Sequence, residues 1–299
     1  MFGNMIADMM IKPASSPVFD TPASRELEYE DVTFKASDGV TISGWLIKGG
    51  TDKIIIQSHF GIQCCRAGYT RKDKGMIKGY PTDIEFLNQA KYLVDAGYSV
   101  LMYDFRNHGD SGEGTLPWIS WGPEESKDVI AAVDFVSKHP EYKDSDIGLF
   151  SICMGNSAAT IAFGREDGLK KYKNIKAMVT IQPVDYKHFI TAMGMPGFLR
   201  NSANKVMEKR TGIDFMENTF INDVKDINVP TMIIQNTNDP FTKKEFVEQV
   251  YQNLTVEKEI LWLDLPKLKS AAHNRAAAYD WIGKNPEQIL GWFNKYVGV

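Results

Sequence analysis

The most restrictive feature of this 299-residue chain is the stretch Asp146-Ile-Gly-Leu-Phe-Ser151-Ile-Cys153-Met-Gly155-Asn-Ser-Ala-Ala-Thr160. An apolar run, Ile147 to Ile152, stops at Cys153, and a small-residue, helix-compatible segment from Gly155 to Ala162 begins at once. A strand that turns straight into a helix must bend sharply at one residue. The positions two before and two after the bend are crowded by backbone, and here both are small, Ser151 and Gly155. Such a bend holds its side chain out at the end of the strand, which makes Cys153 a candidate nucleophile. The same pattern also suits a strand-to-helix turn with a packed cysteine, because free Cys often behaves as a small hydrophobe.

The rest of the chain supplies the sheet that such a bend requires. Two strand-like segments between Glu28 and Lys48 flank the turn signal Ser37-Asp38-Gly39, which predicts a hairpin. Buried-type strands follow at 53–59, 98–104, 146–152, 176–181, 231–235 and 259–263. Helical patterns lie between them at 83–96, 124–138, 157–163, 243–253 and 286–296. An opening hairpin followed by alternating strands and helices predicts an α/β fold, a mostly parallel sheet with helices on both faces. About 40 residues, 184–222, interrupt the alternation and are rich in Met, Phe and Gly, which marks a small lid insertion. Residues 66–82 carry cations and glycines and read as a solvated loop. Residues 1–25 read as an N-terminal arm over the body or across the partner of a homodimer, with one domain from 26 to 299.

Bulk properties narrow the function classes. The composition, 43% hydrophobic and 24% charged, is that of an ordinary globular protein, and a formal net charge of −4 argues against a nucleic-acid partner. No apolar run approaches the ~18 residues needed to span a bilayer. The N-terminus lacks a basic segment, and Asp8 interrupts its apolar residues, unlike a secretory signal. Three cysteines, with Cys64 and Cys65 adjacent, make no disulfide framework. The expected compartment is the cytoplasm, and no metal or cofactor is called for.

Ligands of a parallel sheet gather at the carboxyl ends of its strands. Asp239 follows the 231–235 strand and His273 follows the 259–263 strand. Taken singly, each could be a turn residue or an exposed loop histidine. Taken in order with Cys153, they form a nucleophile, acid and histidine at three strand ends. The imidazole would take the thiol proton and the carboxylate would fix the imidazole tautomer. Asp185 is a rival acid, at the mouth of the lid, where a structural role is the alternative. The oxyanion hole is expected from the N–H of Met154, which opens the helix, and of Phe60, in Ser58-His59-Phe60-Gly61; His59 is expected to brace that loop. Trp118, Trp121, Met193, Met195 and Phe198 suggest an apolar acyl pocket, although each also suits ordinary lid packing. His108-Gly-Asp-Ser111-Gly reads as a tight loop beside the site rather than as a second nucleophile.

With these residues in place, the chain resembles the α/β-hydrolase superfamily over roughly residues 28–298. Cys153 at the elbow and the Phe60-Gly61 pair are similar to the dienelactone hydrolases, which open lactones through a Cys-Asp-His triad. The Arg-x-His-Gly-x-Ser-Gly loop and the lid look more like the esterase and peptidase branch. Dienelactone hydrolases place a glutamate two residues before the Phe-Gly pair, where this chain has Ser58. The resemblance implies an acyl hydrolase acting on a small ester, lactone or thioester through an acyl-cysteine intermediate. An acyltransferase or chain-releasing cyclase on the same triad, and a non-catalytic binder that kept the fold, are the alternatives.

Overall fold

The computed structural model describes residues 2–13, 17–72 and 78–298. Its strands are β1 (Tyr29–Lys35), β2 (Thr41–Ile47), β3 (Lys53–Ser58), β4 (Gly68–Tyr69), β5 (Ile84–Glu85), β6 (Ser99–Tyr103), β7 (Asp146–Ile152), β8 (Ile175–Ile181), β9 (Thr231–Asn236) and β10 (Lys258–Leu263). Eight of them form one sheet in the order β1-β2-β6-β3-β7-β8-β9-β10. The β1–β2 hairpin is antiparallel, and β2 meets β6 antiparallel. Every pairing from β6 to β10 is parallel.

Parallel strands buried on both faces need apolar residues on both, and β7 meets that demand. Ile147 and Leu149 enter the core on one face, Phe150 and Ile152 the core on the other. The covering helices are α2 (Leu87–Asp95), α3 (Glu125–Lys138), α4 (Met154–Gly164), α7 (Lys244–Asn253), α8 (Ala271–Lys284) and α9 (Glu287–Tyr296). Between β8 and β9 lie α5 (Tyr186–Ala192) and α6 (Gly197–Thr211), within the span expected for the lid.

Three local expectations change. The helix expected from residue 83 starts only at Leu87: the Asp83 carboxylate accepts the Arg71 N–H at 2.7 Å, and Ile84–Glu85 pairs with Gly68–Tyr69. This takes a two-stranded ribbon out of the segment read as loop, of which residues 73–77 lie outside the described residues. The N-terminal arm contains a helix, α1 (Phe2–Ile11), whose Gly3, Ile6, Ala7, Met10 and Ile11 share one buried face. The segment around His273, read as loop, is the first turn of α8. Among the described residues no helix is long and apolar enough to cross a membrane.

Candidate active site

Cys153 sits between β7 and α4 with φ 54° and ψ −106°, a backbone conformation that L-residues rarely adopt. Its N–H donates to Ile181 O at 2.9 Å, which ties the bend to the neighbouring strand. The close approach predicted for Gly155 is present: a Cβ there would lie 2.7 Å from Ser58 O. The thiol is therefore held at the carboxyl end of the sheet by a strained turn that only small neighbours permit.

The ends of β9 and β10, beyond the intervening β8, bring up a carboxylate and an arginine. Asp239 is buried, accepts the Phe241 N–H at 2.9 Å, and pairs with Arg275 Nη1 at 2.5 Å. Arg275 Nη2 in turn donates to Cys153 Sγ at 3.1 Å and to Gln182 O at 3.0 Å. Arg275 thus occupies the place between thiol and carboxylate that was expected for His273. The histidine is half-buried at the start of α8, where its Nδ1 lies 2.8 Å from the hydroxyl of the N-cap Ser270.

The reason is helical geometry. At 3.6 residues per turn, side chains two positions apart point to nearly opposite sides. Once Ser270 caps α8, Arg275 faces the sheet and His273 faces away from it. Residue order alone does not show which side of a helix each of the two residues faces; the position of the cap, Ser270, decides it. Burial opposes the charge of Arg275, yet the Asp239 carboxylate outweighs it and holds the guanidinium protonated well above its ordinary range. A guanidinium donates hydrogen bonds and accepts no proton.

Phe60 and Met154 both line the cavity that Cys153 borders. Met154 is the first residue of α4, so its N–H is among the first-turn amides that have no partner within the helix. The loop carrying Phe60 is braced by two histidines. His59 Nδ1 donates to Phe60 O at 2.6 Å and its Nε2 accepts the Phe105 N–H at 3.0 Å. Burial, with His108 adding to it, holds His59 well below the usual imidazole range, in keeping with a neutral brace. His108 bridges Arg106 O at 2.8 Å and Gly61 O at 2.6 Å. The loop after β6 is a polar knot rather than a second site: Ser111 Oγ donates to Asp104 O at 2.6 Å, and Arg106 pairs with Asp128 at 2.8 Å and Asp38 at 2.7 Å.

A cavity of about 20 Å³ lies over Cys153, lined among others by Phe60, Tyr80, Ile119, Trp121 and Phe189. That is room for one water molecule. Of the five residues expected to line an acyl pocket, Trp121 does so. Trp118 instead borders a separate cleft beside Lys12 and Pro17, with the Arg210 guanidinium 4.9 Å from its ring. Met193 and Phe198 are exposed because the turn into α6 carries them outward, and Met195 packs half-buried against the core. Asp185 caps α5, accepting the His188 N–H at 2.9 Å and the Thr219 hydroxyl at 2.7 Å, which is the structural role. Arg275, Tyr80, Ile119 and Phe189 were missed. Only Arg275 had a visible signal, a cation two positions beyond the chosen histidine.

No protein-family model matches the chain, and no curated protein sequence matches it. Solved structures do. The Pyrococcus furiosus esterase Pf2001 is 24% identical with a TM-score of 0.71, covering 96% of this chain and 98% of its own. The α/β hydrolase GrgF from a Penicillium species is 18% identical with a TM-score of 0.58, covering 90% and 97%. A dienelactone hydrolase from Anabaena variabilis is 14% identical with a TM-score of 0.52, covering 91% and 99%. At these identities the likeness is one of fold. The chain has the α/β-hydrolase fold, a mostly parallel eight-stranded sheet opened by an antiparallel hairpin.

Proposed function

We propose that the protein is a thiol-dependent acyl-processing enzyme that accepts acyl groups from thioester-type donors and passes them to an acceptor other than water. The observation that carries this reading is Arg275 bonded to both Cys153 and Asp239 at the turn between β7 and α4. The guanidinium fixes the sulfur beside Asp239 and donates a hydrogen bond to it, so the nucleophile is held in place at the turn. The thiol proton goes to solvent as the C–S bond forms, since Arg275 cannot take it.

In the first half-reaction Cys153 Sγ attacks the carbonyl carbon, a C–S bond forms, and the N–H groups of Met154 and Phe60 receive the oxyanion. The bond to the leaving group then breaks. A thiolate departs unaided because its conjugate acid has a pKa of ~8.5. An alkoxide would need a proton donor, which Arg275 held protonated supplies poorly. In the second half-reaction an acceptor thiolate, amine or carbanion attacks the thioester carbonyl and the C–S bond breaks, releasing the Cys153 thiolate; a thiol or carbon acid gives its proton to solvent before attack, and an amine gives one after it. Water is a poor acceptor here because, among the described residues, no imidazole is hydrogen-bonded to Cys153 to activate it. This reading keeps the nucleophile, acid and oxyanion residues expected from the sequence, replaces the base His273 with the anchor Arg275, and favours the acyltransferase alternative over hydrolysis. Esterase and hydrolase neighbours of the same fold are compatible with acyl chemistry at this strand end.

The test is intact-protein mass spectrometry after incubation with a short acyl thioester. The expected result is one acyl adduct mapping to Cys153, persisting in buffer and discharged by hydroxylamine or an added thiol. Rapid release of free acid without acceptor would make the protein a hydrolase, and the lack of any adduct would support the binding-protein reading.

A further inference from the structure

The cavity over Cys153 holds about one water and the cysteine is 7% exposed, so an acyl chain reaches the thiol when a part of the wall moves. Two of the lining residues, Ile119 and Trp121, belong to the segment between β6 and α3, and both are tied to the N-terminal helix. The Ile119 N–H donates to Ile11 O at 2.8 Å, and the Trp121 indole N–H donates to Met10 O at 3.0 Å. Trp121 itself has φ 61°, a left-handed conformation that a bulky residue holds only when its surroundings impose it. The same helix grips the lid: Gly3 packs against Ser202 of α6, and Asp8 pairs with Arg210 at 2.6 Å.

From these contacts we infer that α1 is a latch, and that its detachment opens the cavity over Cys153. Ten residues is below the roughly 12–15 at which an isolated helix holds in water, so α1 exists by virtue of docking. Its attachment rests on the inward face, since Phe2, Met5 and Met9 on the outward side are exposed. When the helix leaves, the Met10 and Ile11 carbonyls go with it. Trp121 then loses the bond that holds its indole over the thiol, and α6 loses its outer support. The latch governs access, whatever chemistry follows, so its test reads thiol labelling and not turnover.

The Gly3→Cys/Ser202→Cys double variant locks the latch reversibly. A Cβ at position 3 would lie 2.4 Å from Ser202 Oγ, closer than unbonded atoms pack, so the cysteine pair joins with a small outward shift of α1 that the oxidised form then holds fixed. Iodoacetamide labelling of the Cys153 peptide, followed by mass spectrometry, is expected to run at least tenfold slower in the oxidised double variant than in the same protein after reduction. In the complementary variant Trp121→Phe, which keeps a ring but loses the bond to Met10, labelling is expected to be severalfold faster than in the wild type. Equal rates in the oxidised and reduced double variant overturn the latch. So does a Cys153 that stays unlabelled in the reduced double variant and the wild type, because the cavity then never opens. An acyl adduct on Cys153 with no effect of the crosslink would remove the latch alone and leave the proposed chemistry standing.

Discussion

Arg275 Nη2 lies 3.1 Å from Cys153 Sγ, while Nη1 of the same guanidinium bonds Asp239 at 2.5 Å. A fork of fixed geometry therefore links thiol and carboxylate where a proton-shuttling ring would be expected. In the proposed mechanism that exchange separates two jobs usually done by one histidine: positioning and charge stabilisation are kept, and proton transfer is not.

His273→Ala tests the exchange directly. Its ring faces Ser270 while Arg275 holds the thiol, so adduct formation on Cys153 should stay within about twofold of the wild type. A loss of about a hundredfold in the adduct rate would return the imidazole to the mechanism.

Arg275→Met should be costly for stability, because it leaves the Asp239 carboxylate buried without its partner. Breaking one side of a buried pair typically costs about 3–5 kcal/mol. Urea unfolding of Arg275→Met against Arg275→Met/Asp239→Asn should show the double variant recovering part of that loss. Equal stabilities of the single variant and the wild type would mean that the pair is not closed in solution.

Gly155→Ala tests the bend itself. The added Cβ would meet Ser58 O at 2.7 Å and Ser58 Cβ at 2.9 Å, and neither β3 nor α4 can move without shifting the sheet. A loss of about 1–3 kcal/mol is expected, with acyl-adduct formation falling at least tenfold. An unchanged Tm and adduct rate would show that the crowding is relieved elsewhere.

Asp38 supplies a pH-linked contribution away from the site. Partial burial pushes its carboxyl up, but the hydrogen bond and charge of Arg106, with Lys127, outweigh that and hold it down at about 2. A carboxyl depressed in the folded state stabilises the protein above its unfolded pKa of ~3.9. That contribution is lost as pH falls from there through about 2. Discounted for its solvent contact, it is worth about 1 kcal/mol at neutral pH. Asp38→Asn should lower stability by that amount at pH 7 and converge with the wild type near pH 2; a constant gap across this range would remove the linkage.

How much of this was legible in the chain depends on whether the signal was local. The β7–α4 bend was readable because apolar run, break and small residues follow one another within fifteen positions. The parallel strands were readable because both faces of each are apolar. The α8 site was not, because the choice between His273 and Arg275 depends on where the helix begins, and one cap residue, Ser270, decides that. Apart from Trp121, the residues expected to form an acyl pocket lie away from the cavity for a related reason. Met193 and Phe198 are apolar without being buried, and composition alone does not say which way the turn into α6 points them. The helix in residues 2–11 has the right spacing of apolar residues, but Met5 and Met9 on the opposite side blur its stripe.

Gly61 and Met154 meet so closely that a Cβ on the glycine would lie 2.5 Å from the methionine sulfur. The loop after β3 and the first turn of α4 are therefore spaced by a single thioether. In the proposed mechanism the amides of Phe60 and Met154 belong to one gauge: a bulkier or thinner side chain at 154 would reset the gap between the loop and the helix, and with it the size of oxygen that both amides would reach at once.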